Sequence, residues 1–145
     1  MFNIEYSIIT ASFEDLEVMT EEELRYNFLL GNVVFNSANT SIDMQWEWIP
    51  LLDFSFSLFQ IVKSLSYKEN SFESFEFTES TEIIKFIREG NTLKILPSFS
   101  PNTIYTTFDE FDNEVQIFHK EISKYIEQNI KEAMNKKPLN KFLFN

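Results

Sequence analysis

The longest apolar-periodic stretch without a glycine runs from Trp46 to Leu65. Within it Leu51, Phe54, Leu58, Ile61, Val62 and Leu65 recur at spacings of three and four, which places them on one side of a helix. Leu52, Phe56 and Phe59 widen that surface, so the helix is expected to be covered on more than one side. Pro50 suits the first helical position, where its missing N–H costs nothing. Asp53 then falls in the first turn and Lys63 near the other end, both matching the helix dipole. A second helix is expected over about residues 108–135. Its stripe is Phe111, Val115, Phe118, Ile122, Tyr125, Ile126, Ile130 and Ala133. Thr107 and Glu110 form a capping box before it, and Lys136, Lys137 and Pro138 mark its end.

The remaining segments alternate with period two. Phe2, Ile4 and Tyr6 predict a strand over residues 2–13. Residues 14–23 read as an acidic connector, in which Thr20 followed by Glu23 allows a short helical turn. Leu24, Tyr26, Phe28 and Leu30 alternate and predict a second strand. Gly31-Asn32 marks a bulge or turn, and Val33 to Phe35 extends the sheet. Ile42 and Met44 suggest a short strand in an otherwise turn-rich segment. After the central helix, Phe72 to Phe77, Ile84 to Ile87, Leu93 to Leu96 and Ile104 to Thr106 are separated by turn chemistry, including Gly90-Asn91. That spacing predicts an antiparallel meander. Together these elements predict one α+β domain over residues 1–145. Its expected form is a single antiparallel sheet of about five to seven strands, covered by two main helices, about 50–66 and 108–135.

Charge changes the picture more than length does. Net charge is −11 and its distribution is uneven. Residues 1–62 hold ten acids against one base, Arg25, whereas residues 119–145 hold six bases against three acids. The amino-terminal half is therefore anionic. Such a surface repels nucleic acid and anionic membrane, and it is compatible with a basic protein partner. With 43% hydrophobic residues the chain has the composition of a folded domain, not of a disordered one. No apolar run approaches the roughly 20 residues that span a bilayer. The start, MFNIEYSIITASFEDLE, lacks the basic region of a secretion signal, so a cytoplasmic location is expected.

Candidate chemistry is sparse. The absence of cysteine excludes disulfides, thiol nucleophiles and cysteine-ligated metals. Two isolated glycines, Gly31 and Gly90, exclude a glycine-rich phosphate cradle. His119 is the only histidine, and no second histidine stands at helical spacing for a metal. It is expected as a boundary residue on the last helix. The acids Glu14, Asp15, Glu17, Glu21, Glu22 and Glu23 lack the spacing of a calcium loop and read as a solvated or partner-facing surface. Trp46 and Trp48 point the same way if their segment is extended. They are expected either to pack against the sheet or to anchor a partner, since tryptophan is enriched at binding hot spots. No catalytic residue, metal or cofactor is expected.

The segments GNVVFNS, QWEWIPLLDFSFSLFQIV, FEFTES and IKFIREGNTLKI resemble a group of small acidic bacterial proteins of unknown function. In these a strand ending near a glycine leads to a W-x-W-x-P-L-x-D-F segment that opens a helix. The general style is also similar to immunity proteins that neutralise polymorphic toxins. That resemblance implies a non-enzymatic, protein-binding role with a basic toxin domain as partner. It carries over no residue roles. The candidate partner-binding residues are Glu14, Asp15, Glu17, Glu21, Glu22 and Glu23 for steering, with Trp46 and Trp48 as anchors. The alternative is a self-associating structural or regulatory module. It would dimerise through strand edges and the apolar tail Leu139–Phe144.

Overall fold

A computed structural model describes residues 1–11, 19–129 and 140–144. The elements run β1 (Asn3–Ala11), α1 (Glu21–Tyr26), β2 (Leu29–Asn36), β3 (Ser41–Pro50), α2 (Leu51–Leu65), β4 (Asn70–Glu76), β5 (Ile83–Glu89), β6 (Thr92–Pro97), β7 (Ile104–Thr107) and α3 (Phe108–Asn129). The α+β class and the antiparallel pairing are as expected. The single sheet is not: β1-β2-β3 and β4-β5-β6-β7 are two separate antiparallel sheets. The reason lies in α2. It buries residues around most of its circumference, including Leu51, Leu52, Phe54, Ser55, Leu58, Ile61, Val62 and Leu65. It reaches β2 and β3 on one side and β4 on another, while also packing along α3. A helix that apolar is more completely covered between two sheets than on one face of a single sheet.

Phe54 shows how the parts share one core. Its ring meets Phe35 of β2 at 6.0 Å, Phe75 of β4 at 4.8 Å and Phe118 of α3 at 6.2 Å. Val33 and Phe35 from the first sheet and Ile84, Phe86, Leu93, Ile95 and Ile104 from the second are all buried in the same cluster. Period-two alternation holds along β2, where inward Leu29, Gly31, Val33 and Phe35 alternate with half-buried neighbours.

Three local expectations are corrected. Leu24 and Tyr26 belong to a helix, not a strand, and the strand begins only at Leu29. The cap decides this, because Thr20 Oγ1 accepts the Glu23 N–H at 3.2 Å and three acids load the first turn. Pro50 is the N-cap of α2, not its first residue. The segment before it is a full ten-residue strand that includes both tryptophans. The last helix is seen to Asn129; residues 130–135 of the expected span lie outside the described residues.

Gly31 sits at a bulge, as its sequence context suggests. Pairing of β2 with β3 slips between Gly31 and Val33. The glycine is required there by close approach. A Cβ would lie 2.0 Å from the Ser7 carbonyl oxygen of β1 and 2.9 Å from Leu51 Cδ1. The exposed edge of β1 is closed by α3. Glu110 Oε2 accepts the Phe2 N–H at 3.1 Å, and Glu114 Oε1 accepts the Ile4 N–H at 3.3 Å. The Thr107 hydroxyl caps α3 by accepting the Glu110 N–H at 3.1 Å.

Candidate functional site

The acidic residues divide into two groups. Glu14, Asp15 and Glu17 lie outside the described residues. Glu21, Glu22 and Glu23 are exposed along the first turn of α1. Glu21 pairs with Lys141 of the carboxyl-terminal segment. Glu23 accepts from the Thr20 hydroxyl, so its carboxylate is drawn back onto its own helix.

The tryptophans stand on a wide bulge. Gly31 pairs with Ile49 and Val33 with Met44, so Gln45 to Trp48 are set against Asn32 alone. Glu47 takes φ 69°, a left-handed conformation that glycine or asparagine more often supplies. Its N–H donates to Asn32 Oδ1 at 2.7 Å, and the Gln45 N–H donates to Asp43 Oδ1 at 3.0 Å. These two side-chain acceptors replace ladder bonds lost in the bulge. Trp46 and Trp48 therefore share one side, stacked at 5.3 Å with 16° between planes. Trp46 meets Phe77 at 5.2 Å and Phe99 at 4.7 Å, edge to face, and Trp48 meets Phe77 at 5.9 Å. The pair packs against the second sheet region and clamps β3 to it. Both rings are half-buried, so part of each remains open to solvent.

Arg25 and Asp53 form a site that the sequence did not single out. Asp53 lies in the first turn of α2, as expected, and is 4% exposed. Its Oδ1 accepts from Arg25 Nε at 2.6 Å and from the Ser57 hydroxyl at 3.3 Å. Burial pushes the Asp53 carboxyl upward. The Arg25 guanidinium and the Ser57 hydroxyl pull it down, but burial wins. Arg25 is held over three rings, with its guanidinium carbon 5.3 Å from Tyr26, 5.6 Å from Phe56 and 5.2 Å from Phe142. One sequence feature could have flagged the pair: Arg25 is the lone base of residues 1–62, and Asp53 is the lone charge in the apolar run LLDFSF.

His119 is not a boundary residue. It is buried beneath the carboxyl-terminal segment, among Phe59 at 5.1 Å, Phe144 at 5.7 Å and Phe56 at 6.2 Å. Nε2 lies 2.6 Å from the Phe142 carbonyl oxygen. A carbonyl only accepts, so Nε2 carries the proton and Nδ1 is a bare lone pair. Nδ1 has no partner among the described residues. Burial lowers the histidine pKa, and the Phe142 carbonyl opposes that shift. Ser123 completes the latch: its hydroxyl donates to the His119 carbonyl and accepts the Phe144 N–H, each at 2.7 Å.

No family model, no curated protein and no solved structure matches the chain. The described residues contain no group of three His, Asp or Glu side chains able to hold a metal. Among them, no helix is long and apolar enough to cross a membrane.

Proposed function

We propose that this chain is a non-enzymatic protein-binding module that receives a basic protein partner on its anionic amino-terminal half. An immunity-type inhibitor of a basic bacterial toxin domain is the form we favour. The observation that carries the reading is the fate of Arg25. The one side-chain cation among residues 1–62 is turned inward against Asp53 and three aromatic rings. Glu5, Glu21, Glu22, Glu23, Asp43 and Glu47 are exposed in the same half of the chain. Such a surface attracts cations from a distance, which speeds encounter and fixes orientation. The half-exposed Trp46–Trp48 stack offers a rigid aromatic contact for the docked partner. The alternative of self-association through the tail loses its main support. Phe142 and Leu143 are buried and Phe144 is half-buried, and Leu139 lies outside the described residues.

The test is direct binding to basic proteins encoded beside the gene, followed by a toxicity-protection assay. Replacing Glu21, Glu22 and Glu23 together by lysine is expected to slow association about tenfold or more at low salt, with less effect at high salt. A complex whose association rate ignores both that triple change and ionic strength would reject the electrostatic reading.

A further inference from the structure

Residues 140–144 are fastened across the seam of α2 and α3 by few contacts. Two hydrogen bonds come from α3: His119 Nε2 donates to the Phe142 carbonyl at 2.6 Å, and the Ser123 hydroxyl accepts the Phe144 N–H at 2.7 Å. Phe142 and Leu143 are buried, and the Phe142 ring meets Phe56 of α2 at 5.1 Å. Lys141 pairs with Glu21 of α1. Beside the imidazole is a cavity of about 310 Å³, lined by Lys63 of α2 and by Lys141, with no carboxylate among its lining residues. The other charges around it are already committed or stand further off. Arg25, paired with Asp53, lies over the Phe56 and Phe142 rings, and Asp112 shares a neighbouring cavity with Lys63 and Phe144. On α3 itself the residues one turn from His119 are Val115, Gln116, Ile122 and Ser123, none of them charged.

We propose that residues 140–144 form an acid-released latch: protonation of His119 lifts the segment from α2 and α3 while both sheets stay folded. A proton added to the imidazole leaves the bond to Phe142 in place, because Nε2 already donates it. The new donor is Nδ1–H, which is buried and has no acceptor among the described residues. The imidazolium would also sit beside two lysines and three phenylalanine rings. Its charge reaches water by one of two routes, unfolding of the domain or departure of the segment. Departure exposes the buried side chains Phe142 and Leu143 and spares the core around Phe54, so it is the cheaper opening. Once released, the segment frees Glu21 from Lys141 and uncovers Phe56 and Phe59. Below neutral pH the molecule thus gains an apolar surface that it hides above it. The latch is independent of association with a basic partner.

Amide hydrogen exchange of the whole chain, followed by NMR at pH 7.5 and 5.5, tests the latch. Phe144 N–H reports release, and Ile95 N–H in the central strand β6 reports global unfolding. The Phe144 protection factor should lie about tenfold or more below that of Ile95 and should ignore low urea, which lowers only the latter. Between the two pH values it should fall by up to about tenfold, with the released histidine at its ordinary 6.5. His119→Gln keeps an N–H for Phe142 and gains no proton, so its Phe144 protection should not change with pH. Should that variant fail to fold, Ser123→Ala decides: Phe144 protection should drop about fivefold at both pH values and keep its pH dependence. Three results overturn the proposal. They are Phe144 protection equal to that of Ile95 and equally sensitive to urea, Phe144 protection constant with pH in the native chain, and the same pH dependence in His119→Gln.

Discussion

Replacing His119 by glutamine is expected to remove one component of the pH dependence of stability and to leave the rest. In the native protein the imidazole is buried, Nε2 donates to the Phe142 carbonyl, and Nδ1 has no partner among the described residues. Protonation would place a charge among Phe56, Phe59 and Phe144, next to a cavity lined by Lys63 and Lys141. The folded pKa therefore lies below the unfolded value of 6.5, chiefly from burial. The sign follows from linkage. Above pH 6.5 the histidine is neutral in both states and its contribution is fully present. As pH falls from 6.5 towards the depressed folded value, the unfolded chain takes up a proton that the native chain refuses, and stability is lost. Each unit of pH in that window removes up to about 1.4 kcal/mol. Urea unfolding should therefore show lower stability at pH 5.5 than at pH 7.5, with this group contributing no more than about 1.4 kcal/mol.

Carboxylates titrate nearby and must be separated from it. Asp53 has the opposite sign: its folded pKa is raised, so its contribution is fully present below 3.8 and is lost as pH rises through the folded value. Glutamine at 119 keeps a side-chain N–H for Phe142 but has no proton to gain between pH 5 and 8. The difference between the two pH slopes therefore belongs to His119, the only histidine in the chain. Identical slopes in the two proteins would show that the imidazole is as solvated folded as unfolded, and the buried latch would be wrong.

Two further outcomes follow from the core. Phe54→Ala removes the ring that meets both sheets and α3, and should cost about 3–5 kcal/mol in chemical denaturation. Tryptophan fluorescence and far-ultraviolet circular dichroism should still change together, because both sheets feed one core. A loss below about 1 kcal/mol would contradict that placement. Gly31→Ala should cost about 1–3 kcal/mol or more, since its Cβ meets the Ser7 carbonyl backbone. An unchanged melting temperature would mean that β1 and β2 are spaced more widely at that bulge.

What the sequence made legible was local. The stripes of α2 and α3, the Thr107 cap, the bulge at Gly31 and the turn at Gly90, where φ is 62°, each depend on residues close in the chain. The misread segment, Leu24 to Phe28, shows two local patterns in competition. Four alternating apolar positions, ending at Leu30, suggested a strand. The Thr20 cap, the acidic first turn and a single buried anchor, Leu24, were enough for a short helix. What stayed hidden was partner choice over distance. Nothing near Pro50 states that β3 and β4, on either side of α2, belong to different sheets. Asp53 meets Arg25 across 28 positions, and His119 meets Phe142 across 23. A period-two or period-3.6 pattern says which face is buried, not what covers it.

The same distance-dependent pairing explains why the anionic character is built into the fold and does not rest on composition alone. The chain has two arginines. Arg25 is directed at buried Asp53. Arg88 donates from Nη1 to the Leu65 carbonyl at the end of α2 and from Nε to the Gly90 carbonyl, both at 2.8 Å, with its guanidinium 4.0 Å from the Phe108 ring. Arginine suits such sites because its fork bonds several fixed acceptors at once. Both arginines therefore serve interior acceptors, and surface neutralisation falls to the lysines. None of these occurs before Lys63. An exposed lysine added to α1 or β1 would reduce the field with little effect on stability, whereas losing Arg25 would uncover a buried carboxylate. Charge at the amino-terminal surface and stability of the core are thus set by different residues, and an experiment can vary one while holding the other.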